Sequence, residues 1–422
     1  MKTSYLAGLI VLSLALCVSC SSLQPDIHIR PEDCTRRQGS GRHPAGADSL
    51  AEIMIPQEGL FLTAVSYPEG YDWRRDTAYR TQTGKILLLR VHDLRELSAG
   101  SGILAVDTLL ALEAGGGKAV SLDADRHQFI GGHLYTECLT ESRTVYRRDG
   151  RTVLLAPEAE YLRGILPLGD HVYTLSQRMK EGGFVLRRNW KQVFLSEDGI
   201  LRGSLTDPGC GRTGALFEDS GQACFFYEGE DGALRLVRDG QEQSVTLPAN
   251  LKQLYDIRCF EGMICLACQI RQRLPVLYFG SRKYDLSSTF PFSSEKLDFR
   301  LLRLGDEIRL SGTLRGTSNP QLYTGLWSET RLLRLLYGRC EWLEEDVYLR
   351  REGLQLTAAG FQGTEYALDP EAGSLMMPGC AWSGKEVLYL ALSRSGNCPA
   401  LWVNGRSYSI PLNGFLTSVI LL

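Results

Sequence analysis

The feature that most constrains this chain is a hairpin signature that returns along its length. Between Val145 and Leu155, two short apolar runs flank Asp149 and Gly150. An Asp-Gly pair between alternating apolar residues favours a two-residue type I′ turn, in which both central residues need φ > 0. Related hairpins are expected to turn at Asn189-Trp190, Asp239-Gly240, Gly280, Gly325, Gly360 and Asn404-Gly405. They advance by about 40 residues at a time, the period of a repeat architecture. Lys85 to Leu97 reads as a degenerate eighth copy that turns at His92.

Each hairpin has the same neighbours. A strand that often follows glycine comes before it, as after Gly132, Gly169, Gly221, Gly262, Gly305 and Gly384. Another apolar run comes before that, as in Tyr161 to Leu168 and Leu254 to Phe260. Four short strands per repeat at this period predict an all-β fold, a β-propeller of four-stranded blades. A four-stranded sheet has two apolar faces and cannot bury both alone. Packing sheet on sheet round a ring buries both and leaves only short edges. The alternative, a pair of β-sandwiches, would not hold a four-strand phase through so many turns. One propeller is therefore expected over residues 50–422, eight-bladed by repeat count. It would be seven-bladed if the insertion at 99–122 or the short unit Val347 to Leu368 is not a blade.

The two ends of this region echo each other. Leu60 to Val65 resembles Phe415 to Val419, so the chain ends on the first strand type of a unit. Pairing these ends would close the ring and remove its last free edges. Tyr71 to Tyr79 is expected to be the second strand of the first unit, and 99–122 an insertion holding one extra strand or hairpin. No stretch reads as a convincing amphipathic helix.

Charge narrows the function classes. The net charge is -3, and basic and acidic residues are interspersed. No basic block is dense enough to suggest a footprint for nucleic acid or for an anionic membrane.

The first 20 residues read as a targeting segment. Lys2 supplies a positive start, and Tyr5 to Val18 an apolar stretch too short for a flanked spanning helix. Val18, Ser19 and Cys20 follow. This resembles a bacterial lipoprotein signal, which implies cleavage before Cys20 and acylation of its sulfur. The family pattern prefers a Leu-like residue where Cys17 stands. Secretion without lipid and an uncleaved anchor are the alternatives. Acyl chains hold a protein to a bilayer at roughly 0.8 kcal/mol per buried CH₂. Residues 21–49, with Pro25, Pro31 and Pro44 and almost no apolar periodicity, read as a flexible tether.

The residues that could carry chemistry are sparse. Cys265 and Cys268 have the spacing of a zinc or redox pair, but in a strand they point to opposite faces and read as buried apolar cysteines. Cys138, Cys224 and Cys259 read the same way. Export permits disulfides, for which Cys210 with Cys224 and Cys380 with Cys398 are candidate pairs. No histidine pair has metal-ligand spacing, and neither a metal nor a cofactor is expected. His133 and His171 occupy matching places at the start of the second strand of consecutive units. They read as turn histidines or, alternatively, as a shared polar site at one mouth of the ring. Asp72 and Trp73, in the aromatic stretch from Tyr71 to Tyr79, are weaker ligand-binding candidates, with strand alternation as the simpler account. There is no nucleophile elbow, phosphate loop or calcium loop, and no catalytic residue is assigned. Trp73, Trp190, Trp327 and Trp402 lie at or beside hairpins; an exposed Trp on a loop would suit sugar stacking, but packing between blades is their expected fate.

The signal ending at Cys20, the stretch Tyr71 to Asp76 ahead of a propeller, and late copies such as Ala400 to Gly405 together resemble lipid-anchored β-propeller proteins of Bacteroides-type bacteria, a largely uncharacterised group. The resemblance implies a cell-envelope location facing the periplasm or exterior, with the membrane as partner through the anchor. It carries over no catalytic residue. The expected function is a non-catalytic module that binds a glycan or an envelope protein. The alternative is a glycan-active enzyme with acids gathered over the propeller axis.

Overall fold

Strand alternation divides the side chains of each strand between two faces, and in this protein inner strands such as Leu60–Ser66, Phe184–Arg188 and Gln222–Glu228 are buried on both. A computed structural model describes residues 56 and 58–422, except 70, 72–83, 93–101, 114–126, 140–142, 181, 203–205, 208–211, 214, 271–274, 291–293, 305, 318–320, 353–354, 369–379, 384–386 and 394–398. The signal, the tether, Cys20, Asp72, Trp73 and the candidate strand at 50–55 all lie outside the described residues.

Eight antiparallel blades form a ring, a β-propeller. It falls within one compact unit, Glu52–Leu422. Blade 1 is built from both ends of that unit. The C-terminal strand Gly414–Leu421 pairs with Leu60–Ser66, which pairs with Lys85–Val91, which pairs with Val106–Glu113. Blade 2 comprises His127–Ile130, His133–Leu139, Thr144–Arg148 and Arg151–Leu155. Blade 3 comprises Glu160–Leu168, His171–Arg178, Phe184–Arg188 and Lys191–Ser196. Blade 4 contains Phe217–Asp219, Gln222–Glu228, Leu234–Arg238 and Gln241–Ser244, and Ile200–Arg202 also joins its sheet. Blades 5 to 8 begin at Leu251, Ser294, Arg339 and Cys380. The only helix among the described residues is a single 3₁₀ turn, Ser287–Thr289.

The core confirms the ring. It divides into eight apolar clusters, and each joins two neighbouring blades. In Leu60–Ser66, Leu60, Leu62 and Ala64 face blade 8, whereas Phe61 and Val65 face blade 2. This is period-2 alternation with apolar residues on both faces, as a fully covered sheet requires. Each side chain so buried contributes about 1.5 to 3 kcal/mol.

Four of the expected hairpins have φ > 0 at both central residues: Asp149-Gly150, Asn189-Trp190, Asp239-Gly240 and Asn404-Gly405. In these blades the first turn residue also clamps the second strand. Asp149 Oδ1 accepts the Leu134 N–H at 2.8 Å, and Asn189, Asp239 and Asn404 accept those of Val172, Ala223 and Leu388 at 2.9 Å each. An Asp or Asn is thus selected by the turn dihedrals and by this hydrogen bond together.

Two of the expected turn glycines lie inside strands. Gly325 sits in Leu322–Trp327, and the turn follows at Ser328 to Arg331. Gly360 sits in Gln355–Phe361, and the turn is Gln362-Gly363. The reason is packing: a Cβ on Gly325 would run into the Trp327 indole, and one on Gly360 into the Tyr348 ring. Glycine here makes room for an aromatic side chain.

The first unit also departs from expectation. The partner of Leu60–Ser66 is Lys85–Val91, not the stretch from Tyr71 to Tyr79. Lys85–Val91 makes no tight hairpin at His92; it pairs across a longer connection with Val106–Glu113. The expected insertion therefore supplies the outer strand of blade 1. Next to it, the N–H of Leu104 donates to Ser409 O, and that of Ser409 to Gly102 O, each at 2.8 Å. Gly102 to Leu104 thus lies along the outer strand of blade 8, a second closure beside the C-terminal strand.

Candidate functional site

Two polar regions stand out, one buried and one on the surface, and both involve blades 2 and 3. The buried one begins at Glu160, in the first strand of blade 3. Arg187, two strands away in the same blade, clasps it bidentately, with Nη1 to Oε2 at 2.7 Å and Nη2 to Oε1 at 2.5 Å. Both side chains are about 95% or more buried. Blade 2 contributes the Tyr146 hydroxyl, 3.2 Å from Glu160 Oε2 and 2.7 Å from Ser176 Oγ. Thr144 Oγ1 donates to the Glu160 carbonyl and accepts its N–H, both at 2.8 Å. Glu137, also in blade 2, accepts the Leu162 N–H at 3.2 Å. Burial, reinforced by Glu137 and Glu160, pushes the Tyr146 phenol well above its usual range. Tyr146 stays protonated and serves as a donor.

Other blade junctions hold carboxylates in the same way. Asp219 accepts the Gly262 N–H of the next blade at 2.9 Å, and Arg238 Nη1 lies 2.5 Å away. Burial alone would raise the Asp219 carboxyl, but Gly262, Cys259 and Arg238 together hold it below the usual range. Asp256 accepts the Leu301 N–H of blade 6 at 2.8 Å and its neighbour Ile257 N–H at 2.9 Å. There burial prevails over Arg258 and both N–H groups, and the carboxyl is pushed up to about 6. Chemically, these acids are acceptors for the adjoining blade. A carboxylate committed to a backbone N–H or a guanidinium is poorly placed to carry protons for a substrate.

Among the described residues Cys224, Cys259, Cys265, Cys268 and Cys340 are core, whereas Cys210 and Cys398 lie outside the described residues. Cys265 and Cys268 are fully buried, and burial pushes their thiols up to about 12 and about 11. Such thiols carry almost no thiolate and do not suit metal or redox chemistry. Cys224 is a buried free thiol, so the Cys210–Cys224 bridge is not formed. Among the described residues no group of three or more His, Cys, Asp or Glu could hold a metal ion. Trp327 and Trp402 pack as expected, whereas Trp73 lies outside the described residues. Trp327 is fully buried beside Phe290 and Phe299, and Trp402 meets Phe361 and Tyr366 of blade 7.

The surface region contains the two matching histidines. His133 Nδ1 lies 2.7 Å from Asp149 Oδ2, and Asn189 Nδ2 donates to His171 Nδ1 at 3.0 Å. Each histidine thus pairs with the first turn residue of its own blade, which accounts for their matching places. The role of a turn histidine is occupied in both. The structure also links them. Asn189 leads into Trp190, whose indole lies 6.1 Å from the rings of both Tyr135 and Tyr146 in blade 2. Tyr135 in turn meets His133 edge-on at 6.3 Å. Tyr135 stands directly opposite Arg148 across the ladder, and Tyr173 opposite Arg188. One continuous patch therefore runs from His171 through Trp190 to His133.

Sequence reasoning picked out His133 and His171 but missed Glu137, Glu160 and Arg187. Period-2 patterning shows that a strand residue faces inward, but not which partner waits in the next blade. The cations beside the turns were visible, in Arg147-Arg148-Asp149-Gly150-Arg151 and Arg187-Arg188-Asn189-Trp190-Lys191, once the hairpins were in phase.

No protein-family model and no curated protein sequence matches this chain. Solved structures show distant likeness. AztD of Citrobacter koseri is 9% identical with a TM-score of 0.44, over 86% of this chain and 98% of its own. A Bacteroides caccae protein of unknown function is 13% identical with a TM-score of 0.27, over 66% of this chain and 94% of its own. The SapL1 lectin, solved with alpha methyl fucoside, is 10% identical with a TM-score of 0.26, over 66% of this chain and 90% of its own. The propeller assignment rests on the strand pairing of this chain itself.

Proposed function

We propose that this protein is a non-catalytic binding module of the bacterial cell envelope, held to a membrane by acylation of Cys20 and presenting its ring to a glycan or an envelope protein. The observation that carries the reading is the use made of its acids. Glu137, Glu160, Asp219 and Asp256 each accept a backbone N–H or an arginine at a blade junction. Trp190, Trp327 and Trp402 are likewise engaged in packing. Among the described residues the blades carry short turns at their hairpins, an arrangement that suits a display scaffold.

The test has two arms. Full-length protein with Cys20→Ala is screened against a glycan array and against solubilised envelope proteins, and any glycan bound is incubated for turnover. Saturable binding without turnover supports the module; turnover assigns the chain to glycan-active enzymes instead. Metabolic labelling with a fatty-acid analogue should mark the wild type and fail in Cys20→Ala. Label that persists in the variant refutes the anchor.

A further inference from the structure

The outer strand of a blade has one backbone edge that faces away from its own sheet. Natural sheets keep such edges from pairing by placing charge on them. The outer strands of blades 2, 3, 5 and 8 open on Arg151, Lys191, Arg282 and Arg406. Those of blades 4 and 7 hold Glu242 and Glu365, and that of blade 1 holds Asp107. Blade 6 differs. Its outer strand, Leu332–Tyr337, is apolar at every position but Arg334, a larger apolar share than in any other outer strand described. Tyr337 at its end is 53% exposed, and Tyr323 meets that ring edge-on at 5.9 Å.

The two faces of this strand are engaged. Leu332 packs towards blade 5, and Leu333 and Leu336 towards blade 7. The edge is what remains: among the described residues the strand pairs only with Leu322–Trp327. Tyr337 stands opposite Tyr323, and Gly338 N–H donates to the Leu322 carbonyl at 2.8 Å. Bonding alternates along an antiparallel ladder. Leu336 and Arg334 therefore turn their backbone groups towards Leu322–Trp327, whereas Tyr337 and Leu335 turn theirs outward.

We propose that Leu332–Tyr337 pairs antiparallel with the same strand of a second copy, joining two propellers by the outer edges of blade 6 in a two-fold dimer. The pattern of the edge fits this occupant. Outward groups must meet outward groups, so the two-fold axis passes through a residue and not between two. With Arg334 on the axis, two guanidiniums would stand opposite each other, which destabilises a strand pair. With Leu336 on it, Leu332 and Leu333 would run past Gly338, where the chain of the other copy turns away at a φ of +84°. With Leu335 on it, the whole strand overlaps, Leu335 exchanges both N–H···O=C bonds with its own copy, and Arg334 meets Leu336. The pairing is closed, because each copy uses up the edge of the other. Its small area suits weak, reversible association. The inference goes beyond the binding-module reading and does not depend on it.

Full-length protein with Cys20→Ala is followed by sedimentation velocity from low to high micromolar concentration. A reversible monomer–dimer equilibrium is expected, with no larger species. Leu335→Lys sets two ammonium groups opposite each other on the axis and should weaken the dimer about tenfold or more. Tyr337→Pro removes an outward N–H that the blade's own ladder does not use. It should weaken the dimer likewise, with the far-UV circular dichroism of the wild type retained. Gln243→Lys, on the exposed outer strand of blade 4, is the control and should leave the dimer intact.

A wild type that stays monomeric throughout would overturn the proposal. So would wild-type dimerisation in both edge variants, or equal loss in the control. Species that keep growing with concentration would overturn the two-fold closure. A monomer that instead binds an extended apolar peptide, and loses it in Tyr337→Pro, would overturn the second copy in favour of a partner's strand. Each of these outcomes leaves the glycan and envelope-protein screen untouched, so the dimer and the module fail separately.

Discussion

Trp190 lies against the ring of Tyr135 in the preceding blade, 6.1 Å centre to centre, and reaches it from a backbone position with φ of +67°. A bulky L-residue in this region is strained, and the strain persists because the surroundings over-determine it. The equivalent positions in three other blades hold Gly150, Gly240 and Gly405, each close to the outer strand of the blade before. A Cβ there would stand 2.8 Å from Leu112, 2.7 Å from the Val193 carbonyl and 3.0 Å from Tyr366 respectively. In these four blades the second turn residue is thus a blade-to-blade contact, and blade 3 makes that contact with an indole.

Two substitutions separate the strain at Trp190 from its packing. Trp190→Ala keeps the positive φ and loses the ring contacts, and should destabilise the protein by about 3 kcal/mol. Trp190→Gly loses the same contacts but relieves the backbone, and should cost about 1 kcal/mol less. Denaturant melts of the two variants check the order; alanine equal to or better than glycine would show that the turn is not strained.

Gly405 offers a second comparison. Its φ of +90° and the nearby Tyr366 ring both oppose a side chain, and Tyr366 is itself held by Phe361 and Trp402. Gly232 also has a positive φ, +72°, but nothing lies within 4 Å of its Cβ position. It is therefore no looser in backbone than Gly405, and differs from it in packing. Gly232→Val should cost about 1 kcal/mol from the backbone alone, and Gly405→Val about 2 to 3 kcal/mol. Thermal melts at matched conditions measure the difference, which reports the contact between blades 7 and 8.

The buried pair Glu160 and Arg187 should show strong coupling. Arg187→Met leaves a carboxylate without its counter-ion in the core, and should cost about 3 to 5 kcal/mol. Glu160→Leu strands the guanidinium and should cost a similar amount. The double variant should lose less than either single change, because no uncompensated charge remains. A double-mutant cycle in urea provides the measurement; simple additivity would mean that the two groups do not interact.

Asp256 should leave a pH signature. Its folded carboxyl is pushed up to about 6, from an ordinary 3.8. The folded state then binds a proton that the unfolded state lacks between those values, so stability rises as pH falls through 6 and levels off below 3.8. The full effect is about 3 kcal/mol, with roughly half of it present near pH 5. Subtracting the curve of Asp256→Asn from that of the wild type isolates this slope from other acids. Parallel curves from pH 7 to pH 4 would contradict it.

Much of this architecture was legible in the chain before any coordinates. Turn chemistry is local: an Asp-Gly or Asn-Gly between alternating apolar residues states its own dihedrals, so the repeat phase and four strands per blade followed from neighbours in sequence. Two apolar faces on a four-stranded sheet implied cover on both sides, hence a ring, and the echo of Leu60 to Val65 in Phe415 to Val419 marked where it closes. Where local chemistry was ambiguous, packing decided. Gly325 and Gly360 resemble turn glycines until Trp327 and Tyr348 are seen to fill the space over them. The partners of Glu137, Glu160 and Asp256 lie in other strands, and no periodicity encodes which backbone N–H will face a given carboxylate. The sequence by itself determined the four hairpins that turn on Asp or Asn and the two-faced pattern that requires a ring, because dihedral preference and burial act on adjacent residues. The tertiary structure decided which side chains meet across the blades, because those contacts depend on the long-range register at which the blades pack.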